Sequence, residues 1–283
     1  MIEFENQLLN RQQNSDASYF FELFLTRRSH LGMNTSNSMI RVYAESYSTL
    51  RVDEPILLDS AESKHLIRVR RNRQGDQVQV LNGRGLIAEA VIEVDDPKGT
   101  QLRTLKVHQV KRADPSIALC LSITKASTFE MILQKATELG VDEIYPFISA
   151  HSEAIHQLDK LERKFERWNQ ITVEALKQSG NPFLPRIHPP QEMQDLLLER
   201  RANTTIYFAL TKNSLNPEAL RKRLKIEQNI DLWVGPEGDF STEEYSLFNE
   251  RKETIPLTLA PTVLRMETAA IVGLGMVQSW FRT

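Results

Sequence analysis

The apolar positions change period once along the chain, and that change divides it. From residue 40 to about 112 they alternate or run in short stretches, as in Arg41-Val42-Tyr43-Ala44, Ile56-Leu57-Leu58, Gln77 to Leu81, Leu86 to Val94 and Leu105 to Val110. Alternation at period two marks half-buried strands, and Asn82-Gly83 and Pro97-Lys98-Gly99 supply turns between them. Asp59, three residues before Glu62, is spaced to open a short helix in the manner of a capping box. Closely spaced strands with one small helix predict a compact barrel.

Beyond Asp114-Pro115 apolar runs alternate with helical stretches. Ile117 to Ile123 reads as a buried strand. Ser127, three before Glu130, reads as the capping box of a helix whose inner face is Phe129, Ile132, Leu133, Ala136 and Leu139, ending at Gly140. A strand follows over Ile144 to Ile148. The next helix buries Leu158, Leu161, Phe165, Trp168, Thr172 and Ala175, and Gly180 and Pro182 stop it. Strands at Thr205 to Leu210, Ile230 to Val234 and Ile255 to Leu259 then alternate with helices from Pro217, from Ser241 (boxed with Glu244) and from Glu267. Such alternation predicts an α/β domain, a parallel sheet covered on both faces. Ligands of such sheets bind at the carboxyl ends of strands, which directs attention to the loops after Val234 and Leu259. Residues 1–39 show no sustained period and end in the polar run Asn34 to Ser38. They are expected to be a disordered extension or a stretch upstream of the true start.

Charge sharpens this division. Residues 40–112 carry 13 basic and 10 acidic side chains, whereas 113–283 carry 19 and 23. A basic front portion on an acidic body points to an anionic partner held in front, and Lys64, Arg68, Arg70, Arg71 and Arg73 are its densest cluster. The single cysteine, Cys120, excludes an internal disulfide and suits a reducing compartment. No run approaches the roughly 18 apolar residues of a membrane span, and the early acids Glu3, Glu5, Asp16 and Glu22 oppose a transit peptide. The expected location is the cytoplasm.

Two loops are candidates for chemistry. In Gly235-Pro236-Glu237-Gly238-Asp239-Phe240, two glycines permit positive φ and close approach of backbone to a ligand. In Ala260 to Thr268, Arg265 and Glu267 place a cation and an anion at a helix start. Other motifs fail on context. Gly83-Arg84-Gly85 is followed by a strand where a dinucleotide fingerprint needs a helix. Gly273-Leu274-Gly275 lies in a helical pattern and suits close packing. The histidines never fall at zinc spacing, and neither a P-loop nor a serine elbow occurs, so no metal is expected. Methyl transfer, which needs neither metal nor nucleophilic side chain, is a simple option.

Three motifs in order, Gln134 to Val141, Gly235 to Gly238 and Leu264 to Ala269, resemble the bacterial small-subunit ribosomal RNA uridine N3-methyltransferases (the RsmE family) of the SPOUT class. His65, Val69, Arg71, Gly75 and Gly83 match that family's front domain, and the resemblance covers residues 40 to about 281. It implies a PUA-like RNA-binding barrel over 40–112 and, over 113–283, a parallel sheet whose end threads a trefoil knot. It also implies S-adenosylmethionine (SAM) as cofactor, ribosomal RNA or the small ribosomal subunit as substrate, and a homodimer. Gly235, Pro236, Glu237, Gly238, Leu257, Leu259 and Leu264 would then enclose the cofactor, with Arg265 stabilising charge on the uracil ring or holding a phosphate and Glu267 orienting it. No general base is evident in these motifs, which leaves the N3 proton to solvent. The chain departs from the family at Ala150-His151, Lys177-Gln178, Asn181, Phe183 and Asp239, in the part expected to meet RNA and the partner subunit. Intact Arg265 and Glu267 favour an enzyme. The lost basic residues favour the second reading, an RNA-binding protein that keeps the pocket with little or no catalysis.

Overall fold

The computed structural model describes residues 39–152, 161–200, 204–209, 211, 213–225, 229–252 and 254–281. The expected extension therefore lies outside the described residues, save for Met39, as do Leu158 and Leu210. The front portion forms a five-stranded sheet in the order β1-β3-β4-β5-β2, from β1 (Ile40–Tyr43), β2 (Pro55–Leu57), β3 (Gln77–Leu81), β4 (Leu86–Val94) and β5 (Gln101–Gln109). Its alternation is realised: Val78, Val80, Leu86, Ala88, Ala90 and Ile92 point into the core between less buried neighbours, except at the end of β3, where Leu81 is buried as well. Strand β5 begins four residues before the expected Leu105, because Leu102 and Thr104 continue the buried face.

Helix α1 (Ser60–Lys64) is capped by Asp59, whose carboxylate accepts the N–H groups of Ala61 and Glu62 at 2.8 Å. The reciprocal half of the expected box is absent, because Glu62 turns away to accept the Tyr43 N–H and the Lys177 ammonium. The chain then widens into a π-helical turn, His65–Val69, and Arg71 adopts φ 63°.

The remainder is a parallel sheet in the order β12-β10-β11-β6-β7-β8, with β9 also on β7. Its strands are β6 (Ile117–Ser122), β7 (Glu143–Ile148), β8 (Arg186–Ile187), β9 (Gln191–Glu192), β10 (Thr204–Phe208), β11 (Ile230–Val234) and β12 (Thr254–Leu257). The helices are α2 (Ala126–Glu138), α3 (Leu161–Ser179), α4 (Met193–Glu199), α5 (Pro217–Arg223), α6 (Thr242–Asn249) and α7 (Met266–Phe281). Both faces of the sheet are covered. Ile117, Leu119 and Leu121 of β6 join Ile230, Leu232 and Val234 of β11 beneath α2, α3 and α7. The alternate residues Cys120 and Trp233 pack with Phe147, Phe240 and Phe248 beneath α4 and α6.

Local rules held unevenly. Ser241 and Glu244 form their capping box, and Asn216 caps α5 with Pro217 at its first position. The box expected at Ser127 does not form: α2 starts at Ala126, so Ser127 already lies inside its first turn, and Lys125 precedes it without a side-chain cap. Two-residue strands such as β8 and β9 are too short to show a period, and α4 directly after them was likewise not anticipated.

Front and rear portions meet at the end of α3. Gly180, at φ 77°, ends the helix, and a side chain there would lie 2.8 Å from the Arg41 guanidinium. Arg41 instead donates to the terminal carbonyls of Lys177 at 3.2 Å and Gln178 at 3.0 Å, a cation at the negative end of a helix. The buried Lys177 ammonium binds Glu62 at 2.6 Å and Glu174 at 2.7 Å. Gly83 and Gly85 of the front portion bond Leu184 and Pro182, while Arg112 lies over the Phe183 ring, 4.8 Å from its centroid. Lys177 and Phe183, placed by the resemblance on the RNA and partner side, thus face the front portion here.

Candidate active site

The carboxyl ends of β6, β10, β11 and β12 open into one cavity of about 650 Å³. Gly235, Pro236, Glu237 and Asp239 supply one wall, the segment from Leu257 to Glu267 a second, and Phe208 with Ala269 part of the floor. The cavity lies where strand order reverses around β6 and β11, the expected position for a ligand in an open parallel sheet. Its volume falls in the range of small-molecule sites, roughly 300–1,000 Å³.

Each wall has a local cause. Thr258 fixes the β12 loop by donating to the Ala209 carbonyl at 2.8 Å, while its N–H donates to Leu215. The β11 loop turns at Pro236, whose carbonyl accepts the Asp239 N–H at 3.0 Å. Positive φ falls on neither glycine of this loop but on Asp239, at 65°, where Asp239 Oδ1 accepts the Phe240 N–H and the Tyr245 hydroxyl. Gly235 serves packing instead: a Cβ there would lie 2.9 Å from the buried Phe240 ring. Gly273 has the same role in α7, since a Cβ would lie 2.2 Å from Phe208, a ring that itself lines the cavity.

Of the residues expected from sequence, Gly235, Pro236, Glu237, Leu257, Leu259, Leu264, Arg265 and Glu267 line this cavity. Gly238 is exposed on the same loop and does not line it. The Arg265 side chain is 87% exposed at the mouth, and its Nη1 is 4.0 Å from Glu267 Oε1, an ion pair too long for a hydrogen bond. Glu267, in the first turn of α7, also complements the helix dipole. Sequence reasoning missed Lys125, Thr128 and Phe208. Lys125 adds a second cation, 3.7 Å from Glu237. The rule that pointed to the β11 and β12 ends would have found these three if applied to β6 and β10.

Lys64 ends α1, and Arg68, Arg70, Arg71 and Arg73 lie on and after the π-helical turn, all exposed. Arg70 reaches the His65 ring at 3.4 Å and Arg73 donates to the Asn72 carbonyl at 3.2 Å. This cluster is separate from the cavity lining. Among the described residues no helix is long and apolar enough to cross a membrane, and no group of three side chains is arranged to hold a metal ion.

Residues 112–278 match the RNA methyltransferase domain family, and residues 58–105 match the RNA methyltransferase PUA domain. The chain is 30% identical to the ribosomal RNA small subunit methyltransferase E of Aquifex aeolicus over 229 residues, 80% of this chain and 94% of that protein. The Bacillus subtilis protein of the same name is 27% identical over 222 residues, 76% of this chain and 86% of its own. A methyltransferase of Legionella pneumophila, solved in complex with SAM, superposes with a TM-score of 0.77 at 29% identity, covering 86% of this chain and 98% of that one.

Proposed function

The chain belongs to the ribosomal RNA small subunit methyltransferase E family, and from that premise we propose that it transfers a methyl group from SAM to N3 of a uridine in 16S ribosomal RNA. The observation that carries this reading is one cavity into which two separate sequence motifs converge, with Arg265 in its lining. The residues fit the cofactor. Leu257, Leu259 and Leu264 offer apolar surface for an adenine, and the Gly235–Glu237 backbone offers hydrogen-bonding groups to its polar edges. When bound, SAM supplies an electrophilic methyl on a sulfonium.

The protein's task is then to hold the uracil ring and manage its charge. As N3 loses its proton, negative charge spreads over the ring, and the exposed guanidinium of Arg265 stabilises it. Glu267 lies close enough to bias the orientation of Arg265 without neutralising it. The open mouth lets the proton pass to water. The exposed cluster Lys64, Arg68, Arg70, Arg71 and Arg73 binds RNA phosphates in this scheme.

On the same reading residues 40–112 form a PUA-like RNA-binding domain, 113–283 a SPOUT domain, and 1–39 an extension. A trefoil knot is supported by the return of α7 from edge strand β12 to the middle of the sheet, where Gln278 donates to the Gly140 carbonyl at 2.9 Å. A homodimer is supported by Met131 and Val272, exposed apolar residues on the adjoining helices α2 and α7. A substrate in ribosomal RNA supports a cytoplasmic location.

Single-turnover transfer of labelled methyl to small subunits lacking the mark tests the function, followed by mapping of the modified base. Arg265→Ala should lower the rate about 10²–10³-fold while sparing cofactor affinity. A parent protein that binds SAM and RNA yet transfers nothing would establish the binding-module reading. Methyl found on an atom other than uridine N3 would refute the proposed specificity.

A further inference from the structure

His151 stands against the loop that lines the cavity. Its Nδ1 is 2.9 Å from the Asp239 carbonyl oxygen. A carbonyl can only accept, so Nδ1 carries the hydrogen. Gly238 makes room for the ring: a side chain there would put its Cβ 3.3 Å from His151 Cβ. The contact falls on the residue that needs it, since Asp239 is the non-glycine at positive φ in this loop. Such a conformation persists only where its surroundings hold it.

The strand-end loops on either side are joined elsewhere too. Glu244 accepts the Ala150 N–H at 2.9 Å, the Ser149 hydroxyl at 3.0 Å and the Ser241 N–H at 2.8 Å. Those bonds fix the segment carrying His151, and they fix the far end of the β11 loop beyond Phe240. Among the described residues, the His151 contact is the one from this segment that reaches across to the Gly238–Asp239 part, which lies beside the cavity wall.

We infer that His151 is a positioning residue for the methyl donor: by holding the Asp239 carbonyl it keeps the Gly235–Asp239 backbone in the shape that receives SAM. This rests on the reading of the cavity as the SAM site. His151 touches neither cofactor nor substrate in this role and acts through Asp239.

Calorimetric titration of SAM into the full-length parent, His151→Ala and His151→Asn tests it. Asparagine carries its Nδ2 the same number of bonds from Cβ as the imidazole Nδ1, so it can donate to the same carbonyl. Loss of one such bond should weaken SAM binding about 5–10-fold in His151→Ala, and His151→Asn should return to within about twofold of the parent. The methyl-transfer rate at saturating SAM and RNA should not change in either variant, so the defect appears in KM for SAM alone. Alanine binding as tightly as the parent, asparagine binding as weakly as alanine, or a fall in the saturated rate each overturns the inference. A parent protein that binds no SAM overturns the reading of the cavity, and this inference with it.

Discussion

Replacing Lys177 by alanine should test how firmly the front domain is docked. Only 7% of the lysine side chain and 12% of Glu62 are exposed, and their charged atoms are 2.6 Å apart. Removing the ammonium leaves the Glu62 carboxylate buried, with the Tyr43 N–H at 3.2 Å as its remaining donor among the described residues. Breaking a buried pair from one side typically costs 3–5 kcal/mol. Glu174 adds little to this, being 63% exposed. Because the joint lies near the surface and water can enter the space left by alanine, we expect about 3 kcal/mol, the lower end. At about 2–4 °C per kcal/mol for a protein near this size, the melting temperature should fall roughly 6–12 °C. Urea unfolding of parent, Lys177→Ala, Lys177→Met and Glu62→Gln/Lys177→Met is the assay. The double variant should recover most of the loss, since it leaves no unpaired charge. Burial by itself lowers the lysine pKa, but the bonds to Glu174 and Glu62 outweigh burial and hold it above the ordinary value. A raised lysine stabilises fully below its unfolded pKa and loses that stabilisation only as pH rises through the folded one. The deficit of Lys177→Met should therefore be intact at pH 7 and shrink only in strong alkali. A loss under about 1 kcal/mol in Lys177→Ala, or a double variant no better than the single, would refute the assignment.

Two further substitutions probe the site and the front surface. Gly273→Ala puts a methyl 2.2 Å from the Phe208 ring. It should cost about 1–3 kcal/mol by overpacking and, because Phe208 lines the cavity, weaken SAM binding as well, read by thermal melting and calorimetry; a parental melting temperature would show that the ring is free to move. Arg70→Ala/Arg71→Ala should flatten the dependence of RNA affinity on salt by up to two units of slope, measured by titration at several ionic strengths; an unchanged slope would place the RNA elsewhere.

Period and turn chemistry made the order of the major elements legible, because each strand and helix long enough to cover a face must repeat its apolar residues at the matching spacing. Strand β11 was read to the residue, and the loops after β11 and β12 were identified from position alone. What failed were features set by contacts remote in sequence. Glycine at 235 was expected to permit a left-handed backbone, but its space is claimed by Phe240, while Asp239 takes the left-handed position with help from Tyr245. Ser127 had the right spacing for a cap, yet the tertiary structure starts the helix earlier. Lys177 carries no local sign that Glu62 of α1 will pair with it, nor Phe183 that the turn between β3 and β4, about a hundred residues earlier, will meet it.

The strand order has a consequence for synthesis. Strand β6 begins the parallel sheet, yet its Ile117 pairs with Ile230, and the cavity closes only when Met266 and Glu267 of the last helix arrive. The front sheet, by contrast, has all five of its strands once β5 ends at Gln109, and can form while the rest of the chain is still being made. A growing or prematurely ended chain thus acquires its basic surface long before any pocket for a methyl donor. If that surface grips ribosomal RNA as proposed, such fragments occupy the target without modifying it. An incomplete chain is then a competitor of the complete enzyme, and its removal matters to the cell beyond the loss of one catalyst.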